Sequence, residues 1–153
     1  MASLQLSTIF DYFLGYITDY DYLSLDESDI STLELEYIKK SVAKPYMRNL
    51  FSSITIDEDE EVVSFEMAYP TTDENDESFV SDILAKAMVI QWLQPQVRSK
   101  LNTAQMFTGK QRTWYSQANH LAELRSMLED TQLDVRRMIR DRGFIHNSYL
   151  EES

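Results

Sequence analysis

A mostly apolar set of residues recurs at steps of three and four along residues 116–143, the spacing of one face of a long α-helix. The stripe comprises Ala118, Leu121, Leu124, Leu128, Thr131, Val135, Met138 and Arg142. Ser116 is predicted as the N-cap and Gly143 as the left-handed residue that closes the helix. At 1.5 Å per residue the helix is about 40 Å long, so its stripe needs a long partner.

A second long helix is predicted at residues 78–101. Apolar side chains there cover nearly the whole circumference: Phe79, Val80, Ile83, Leu84, Ala87, Met88, Ile90, Trp92 and Leu93. A helix that is apolar on all sides is a buried one, so we expect it at the centre of the core. Pro95 should bend or stop it, although Val97 and Leu101 continue the phase. Residues 102–113 are predicted as a loop that lets the two long helices pack antiparallel.

Shorter helices are predicted before this pair. Residues 4–17 have helical spacing, and Asp26 begins another stretch whose acidic start suits the positive end of a helix dipole. Pro45 should end or kink that second helix, and one or two further turns are predicted within residues 46–51. The connector at 18–23 carries Tyr20 and Tyr22, which either present their hydroxyls at an interface or simply pack on the core.

Residues 53–56 and 62–68 are rich in β-branched and aromatic side chains and flank the acidic run at 57–61, which predicts a small hairpin with an acidic tip. Such a cluster can bind Ca²⁺, but the run lacks the central glycine and the terminal bidentate glutamate of an EF-hand. A solvated turn is the preferred interpretation, and no metal site is predicted.

These patterns together predict a mainly α fold: a helical bundle built on two long antiparallel helices, with a small β-hairpin inserted. With 153 residues, one helical domain over 1–143 is expected, with the hairpin at about 53–68. Residues 144–153 contain enough apolar side chains to be a C-terminal docking tail. The absence of cysteine excludes disulfides, and no stretch is apolar enough to predict a membrane span.

Charge is distributed unevenly along the chain. The net charge is −12, with 19 acidic and 5 basic residues over 1–96 (net −14) against 7 acidic and 9 basic residues over 97–153 (net +2). The acidic part should repel nucleic acid, because phosphate contacts need cations. The split suits subunits that meet head-to-tail, although on composition alone a soluble, self-repelling acidic surface is the preferred interpretation.

A catalytic site needs a nucleophile beside a base or a set of converging ligands, and neither is indicated. His120 and His146 have no metal-ligand spacing, and His120 lies beside the apolar stripe as a packing residue. Three glycines leave no phosphate-binding loop. Arg136, Arg137, Arg140 and Arg142 could bind phosphate, but a solvated or subunit-facing helix end explains them more simply. We therefore expect no catalysis and no cofactor.

Several segments resemble one family when taken together. They are DILAKAMVIQWLQP at 82–95, YSQANHL at 115–121, IFDYFL at 9–14 and TDYD at 18–21, with an arginine-rich helix end that closes in an aromatic tail. The chain resembles small structural proteins of tailed bacteriophages, of the head–tail connector or neck (adaptor) kind. These motifs are packing patterns, so the resemblance carries over no catalytic residues.

The resemblance implies a subunit, made in the host cytoplasm, that assembles in the virion neck as a ring, commonly of twelve copies. The ring would join the portal to the tail or stopper proteins, and DNA would pass its acidic lumen without specific binding. The expected subunit or portal interface comprises Arg136, Arg137, Arg140, Arg142, Phe144, Ile145, Tyr149 and Leu150.

A second hypothesis comes from the charge alone. The −14 of residues 1–96 would suit an acidic protein that mimics nucleic acid and inhibits a host DNA-binding protein. Against it, the acids cluster at predicted turns and helix starts instead of forming two evenly spaced rows.

Overall fold

The computed structural model describes residues 2–17, 27–106 and 111–145, with side chains except at 27–30, 99–106, 111–120 and 143–145. This part is mainly helical, with five helices and a small three-stranded antiparallel sheet. The predicted connector at 18–23, the helix start at Asp26 and the tail from His146 onward lie outside it, as does the side chain of His120. No helix within the described residues is both long enough and apolar enough to cross a membrane.

The first element is a strand, which corrects the prediction of a helix from residue 4. Strand β1 spans Ala2–Gln5 and helix α1 follows at once as Leu6–Tyr16. The helical spacing does begin at Leu6, because Leu6, Ile9 and Phe13 are the buried residues of α1. The four residues before it instead find a pairing partner far along the chain.

That partner belongs to the predicted hairpin, which is confirmed as strands β2 (Phe51–Asp57) and β3 (Val62–Met67). The sheet order is β1-β3-β2, so β3 is the central strand and the hairpin alone does not describe the sheet. β1 pairs with β3 from Ala2↔Phe65 to Gln5↔Val62, and the β2–β3 register shifts between Phe51 and Ser53.

The acidic run forms the tight turn between β2 and β3. Asp57 Oδ1 accepts hydrogen bonds from the backbone amides of Asp59 at 3.0 Å and Glu60 at 3.1 Å, which fixes the turn locally. Glu61 has φ of 56°, in the left-handed region, and its carbonyl accepts the amide of Leu6 at 2.9 Å. The tip is therefore held by its own first carboxylate and by the start of α1.

Helix α2 spans Glu27–Val42 and ends before Pro45, as the proline predicted. The short helix α3 spans Pro45–Arg48, so the proline occupies the first turn, where its missing amide costs nothing. An exposed ion pair between Lys39 and Glu58 joins α2 to the acidic tip.

Helix α4 spans Asp73–Met106 and is longer at both ends than predicted. Thr72 caps it, because its hydroxyl accepts the amide of Asn75 at 3.3 Å and its carbonyl accepts that of Asp76 at 2.9 Å. Asp73, Glu74 and Asp76 occupy the first turn, where the helix dipole favours acidic side chains. Pro95 lies within the helix. The next residue, Gln96, donates a side-chain hydrogen bond from Nε2 to the carbonyl of Trp92, one turn earlier, at 3.2 Å.

Helix α5 spans Gln111–Ile145. Its backbone runs through both predicted ends, so Ser116 is not its N-cap and Gly143 does not terminate it. The described glycines have no positive φ, so the left-handed closure expected at Gly143 does not occur. Most of the predicted loop at 102–113 is helical instead, since α4 continues to Met106 and α5 begins at Gln111.

The core forms around α4, as its all-round apolar sequence predicted. α4 packs against α1, α2, α5 and β1, and most of its side chains between Val80 and Leu93 are buried. The rings of Phe13 and Tyr37 meet edge to face at 6.2 Å between α1 and α2.

Contacts between α4 and α5 run in opposite directions along the two helices. Asp76, near the start of α4, meets Arg142 near the end of α5. Further along, Lys86 Nζ lies 3.7 Å from Met138 Sδ. These contacts bring the C-terminal turns of α5 beside the first half of α4.

Candidate subunit interface at the end of helix α5

The predicted interface arginines divide into two groups. Arg136, Arg137 and Arg140 are exposed, whereas Arg142 is buried at 7% relative exposure. Phe144 and Ile145 belong to the last turn of α5, with side chains outside the described set, and Tyr149 and Leu150 lie beyond the described residues altogether.

Arg142 is held by groups of its own chain. Its Nη2 donates to Asp76 Oδ1 at 2.7 Å and to the carbonyl of Tyr69 at 3.0 Å, and its guanidinium lies 4.7 Å from the ring centre of Phe79. Thr71 donates its amide to Asp76 Oδ2 at 3.0 Å and its hydroxyl to Oδ1 at 2.6 Å. These contacts satisfy the ion pair within the subunit.

The electrostatics of Asp76 are consistent with a permanently charged pair. Burial by itself raises the pKa of Asp76, but the hydrogen bonds from Thr71 and Arg142 outweigh it and lower the pKa below its usual value. An ionised aspartate that has left water needs its cation, so Arg142 is committed to the start of α4. The expectation that Arg142 lies at an interface stays a prediction, although its side chain is buried within the subunit.

The sequence held part of the signal for this role. Position 142 lies on the same helix face as Val135 and Met138, which predicts that it faces the core. Only the charge of arginine suggested that this side chain would be exposed to solvent. Its partner is 66 residues away. No local pattern identifies a pair at that separation.

Two of the exposed arginines, Arg136 and Arg140, border a groove of about 460 Å³ between α4, α5 and the α2–α3 connection. Its apolar floor is formed by Ile90, Val135 and Ile139, of which the first two are buried. Cations stand around this floor: Lys44 on one wall and Arg136 and Arg140 on the other.

The described residues that line this groove include no carboxylate. Arg140 Nε lies 3.8 Å from the carboxylate of its neighbour Asp141, and both side chains are largely exposed. Such a pair is worth little in water. On a chain with net charge −12, the groove is thus a local concentration of positive charge beside apolar surface. We call it the cationic groove.

A separate polar cluster joins α1 to α4 on the other flank of α5. The hydroxyl of Tyr16 donates to Asp82, and Lys86 lies 3.6 Å from Asp82 and 5.8 Å from the centre of the Tyr16 ring. Burial, followed by the hydrogen bond to Asp82, raises the pKa of Tyr16 above its usual value. The phenol stays protonated, so the cluster supplies no phenolate base and acts as a packing contact.

One buried acid lacks a partner within the described structure. Glu34 on α2 is 4% exposed, and its Oε2 has no hydrogen-bond partner. Burial, with a smaller contribution from Asp11 on α1, raises its pKa from 4.5 to about 7. The described residues contain no group of three or more acidic or histidine side chains arranged to hold a metal ion.

Comparison with family models, curated proteins and solved structures found no match to this chain.

Proposed function

We propose that this chain is a non-enzymatic structural subunit of a tailed-phage virion, a neck adaptor that assembles into a ring, commonly of twelve copies, between the portal and the tail or stopper proteins. One observation carries the proposal. The subunit has two unlike surfaces, an acidic tip at 57–61 and the cationic groove at the end of α5. Rings require heterologous contacts between two different patches of each subunit.

The two long helices give the proposed subunit its scaffold: a bundle built on antiparallel α4 and α5. The buried ion pair of Asp76 and Arg142 fastens the end of α5 to the start of α4, so the exposed arginines are held on a fixed support. Arg136, Arg137 and Arg140, with Phe144, Ile145, Tyr149 and Leu150, are the residues proposed to meet a neighbour or the portal.

The overall charge suits a channel through which DNA passes. Acidic side chains facing the lumen would repel phosphate and prevent binding, because counterion release needs cations along the contact. In this arrangement the positive groove lies between subunits, away from the DNA.

Light scattering tests the proposal directly. The purified chain should form a ring when mixed with portal rings of its own phage, and purified virions should contain the polypeptide at one ring's copy number. Portal rings from an unrelated phage serve as the control. A monodisperse monomer that stays monomeric with its own portal would contradict the proposal.

A second candidate function is inhibition of a host DNA-binding protein by charge mimicry, which the −14 over residues 1–96 favours. Its acids, however, gather at the β2–β3 turn and the first turn of α4, and Asp76 is internal. Pull-down from host lysate separates the two functions: a nuclease or repressor as the main partner favours mimicry, and virion proteins favour the adaptor.

A further inference from the structure

The chemistry of the cationic groove defines the ligand it fits. Ile90 and Val135 form an apolar floor on which an apolar side chain can pack. Lys44, Arg136 and Arg140 surround this floor with positive charge. The volume of about 460 Å³ accommodates one or two large side chains. The matching ligand is a peptide in which a large apolar residue is followed directly by carboxylates.

A segment of this kind occurs in the chain itself. Tyr149 and Leu150 are followed by Glu151 and Glu152. We propose that the cationic groove binds residues 149–152 of a second copy, with Leu150 over the apolar floor and the two glutamates beside the arginines. This inference rests on the proposed ring and names the contact that would close it.

Two physical arguments favour a second copy. Subunits of net charge −12 repel one another, so an assembly needs a place where opposite charges meet. A tail placed in a neighbour's groove is a contact between different patches, and repetition of it around an axis closes a ring. The chain's own tail is the competing occupant: five residues span at most about 17 Å, enough to turn back from Ile145 to Ile139.

Cysteine cross-linking distinguishes these occupants, because the chain has no cysteine of its own. Gln94 lines the groove, so a tagged Gln94→Cys chain mixed with a Leu150→Cys chain should form a disulfide-linked heterodimer. Asp134→Cys is the matched control: it is exposed on α5, near Tyr16 on the other flank. We expect the groove pair to give about tenfold more heterodimer than the control pair.

Charge reversal tests the electrostatic half of the proposal. Arg136→Glu with Arg140→Glu in the Gln94→Cys chain should reduce the heterodimer about tenfold, since like charges would then meet. Glu151→Arg with Glu152→Arg in the Leu150→Cys chain should restore most of it. Arg125→Glu, an exposed reversal elsewhere on α5, should change nothing.

Three results would overturn the inference. They are a groove pair no better than the Asp134→Cys pair, a charge reversal that its partner reversal does not rescue, or an intrachain disulfide in monomers carrying both Gln94→Cys and Leu150→Cys. Failure of the proposed function looks different. Rings that form on the portal without the groove cross-link refute this contact alone, whereas a rescued cross-link without portal binding refutes the adaptor role alone.

Discussion

The side chain of Arg142 connects the last turns of α5 to the start of α4 at a single buried point. Its guanidinium contacts the Tyr69 carbonyl, the Asp76 carboxylate and the Phe79 ring. Thr71 in turn donates a hydrogen bond to the Asp76 carboxylate. A buried ion pair contributes little net stability compared with an apolar pair, but removal of one member leaves the other charged and unpaired. We expect the ion pair between Asp76 and Arg142 to act mainly by fixing one alignment of α4 and α5.

We predict that Arg142→Met destabilises the fold by about 3 kcal/mol, because Asp76 then remains buried without its cation. Adding Asp76→Asn should recover part of the loss, giving a coupling of about 1 kcal/mol or more in a double-mutant cycle. Urea unfolding provides the measurement. Arg137→Met, on the exposed side of the same helix, should stay within about 0.5 kcal/mol of the parent. An Arg142→Met variant as stable as the parent would show that the pair is dispensable.

The buried carboxyl of Glu34 should make stability depend on pH near neutrality. Its pKa is about 7 in the folded chain against an ordinary value of 4.5, which we take for the unfolded chain, so between these values the folded state binds more protons than the unfolded one. Stability is then highest below pH 4.5, as far as this group is concerned, and decreases as pH rises through 7. At about 1.4 kcal/mol per pKa unit, the loss is of the order of 3 kcal/mol.

Glu34→Gln should therefore raise stability at about pH 8 by about 1–2 kcal/mol and flatten the pH dependence between about 5 and 8. The gain is smaller than the full penalty because a buried amide also needs hydrogen-bond partners. Glu36→Gln is the control, since Glu36 is half exposed and pairs with Lys40 at 2.7 Å, a contact worth about 0.3–0.5 kcal/mol. If Glu34→Gln left the slope of stability against pH unchanged, the pH dependence would have to come from other titratable groups.

At the scale of elements, periodicity identified the helices well and their ends poorly. The stripe at Ile9 and Phe13 and the all-round apolar run at 80–93 depend on local spacing, and both are buried as expected. The predicted start at residue 78 was too late, because Thr72 caps the helix and the acidic residues at 73–76 suit the positive end of its dipole. β1 was not predicted because four residues of alternating character are too short a pattern to indicate a strand. The strand is stabilised by pairing with β3, which is distant in sequence.

The central position of β3 gives a test at this scale. Ser64 lies in β3 between Ser3 of β1 and Thr55 of β2, so Ser64→Pro should cost about 3 kcal/mol or more by removing a ladder hydrogen bond. Ser52→Pro is the matched change at the register shift on the edge strand, where proline is better tolerated. Thermal unfolding monitored by circular dichroism should rank Ser64→Pro well below Ser52→Pro. Equal losses would argue against a central β3.

At the scale of the whole molecule, the charge split could be read from the sequence but the groove could not. Lys44, Ile90 and Arg136 belong to three parts of the chain that are distant in sequence, and only packing of α5 on α4 brings them together. The basic helix end seen in the sequence divides in the fold: three arginines are exposed to solvent and the fourth is buried.

The net charge predicts how the isolated chain responds to salt. Repulsion among 26 acids should be screened as the Debye length falls from about 30 Å at 0.01 M to about 10 Å at 0.1 M, so the melting temperature should rise. Neutralising the tip with Asp59→Asn and Glu60→Gln should weaken this salt dependence, and Arg125→Gln should strengthen it. Calorimetry at several salt concentrations measures the melting temperature of the parent and of both variants. A melting temperature that falls with added salt would contradict a repulsive surface.

The sheet order has a consequence for how the chain acquires its structure. The hairpin of β2 and β3 forms from neighbours in sequence, but β1 must wait for a partner about 60 residues later. Contacts of such separation slow folding, because chain entropy is lost before the pairing is gained. During synthesis the first strand and α1 would leave the ribosome unpaired, and the open edge of β3 would be filled afterwards. The ordering step that follows is the docking of α5, because Arg142 is synthesised 66 residues after its partner Asp76.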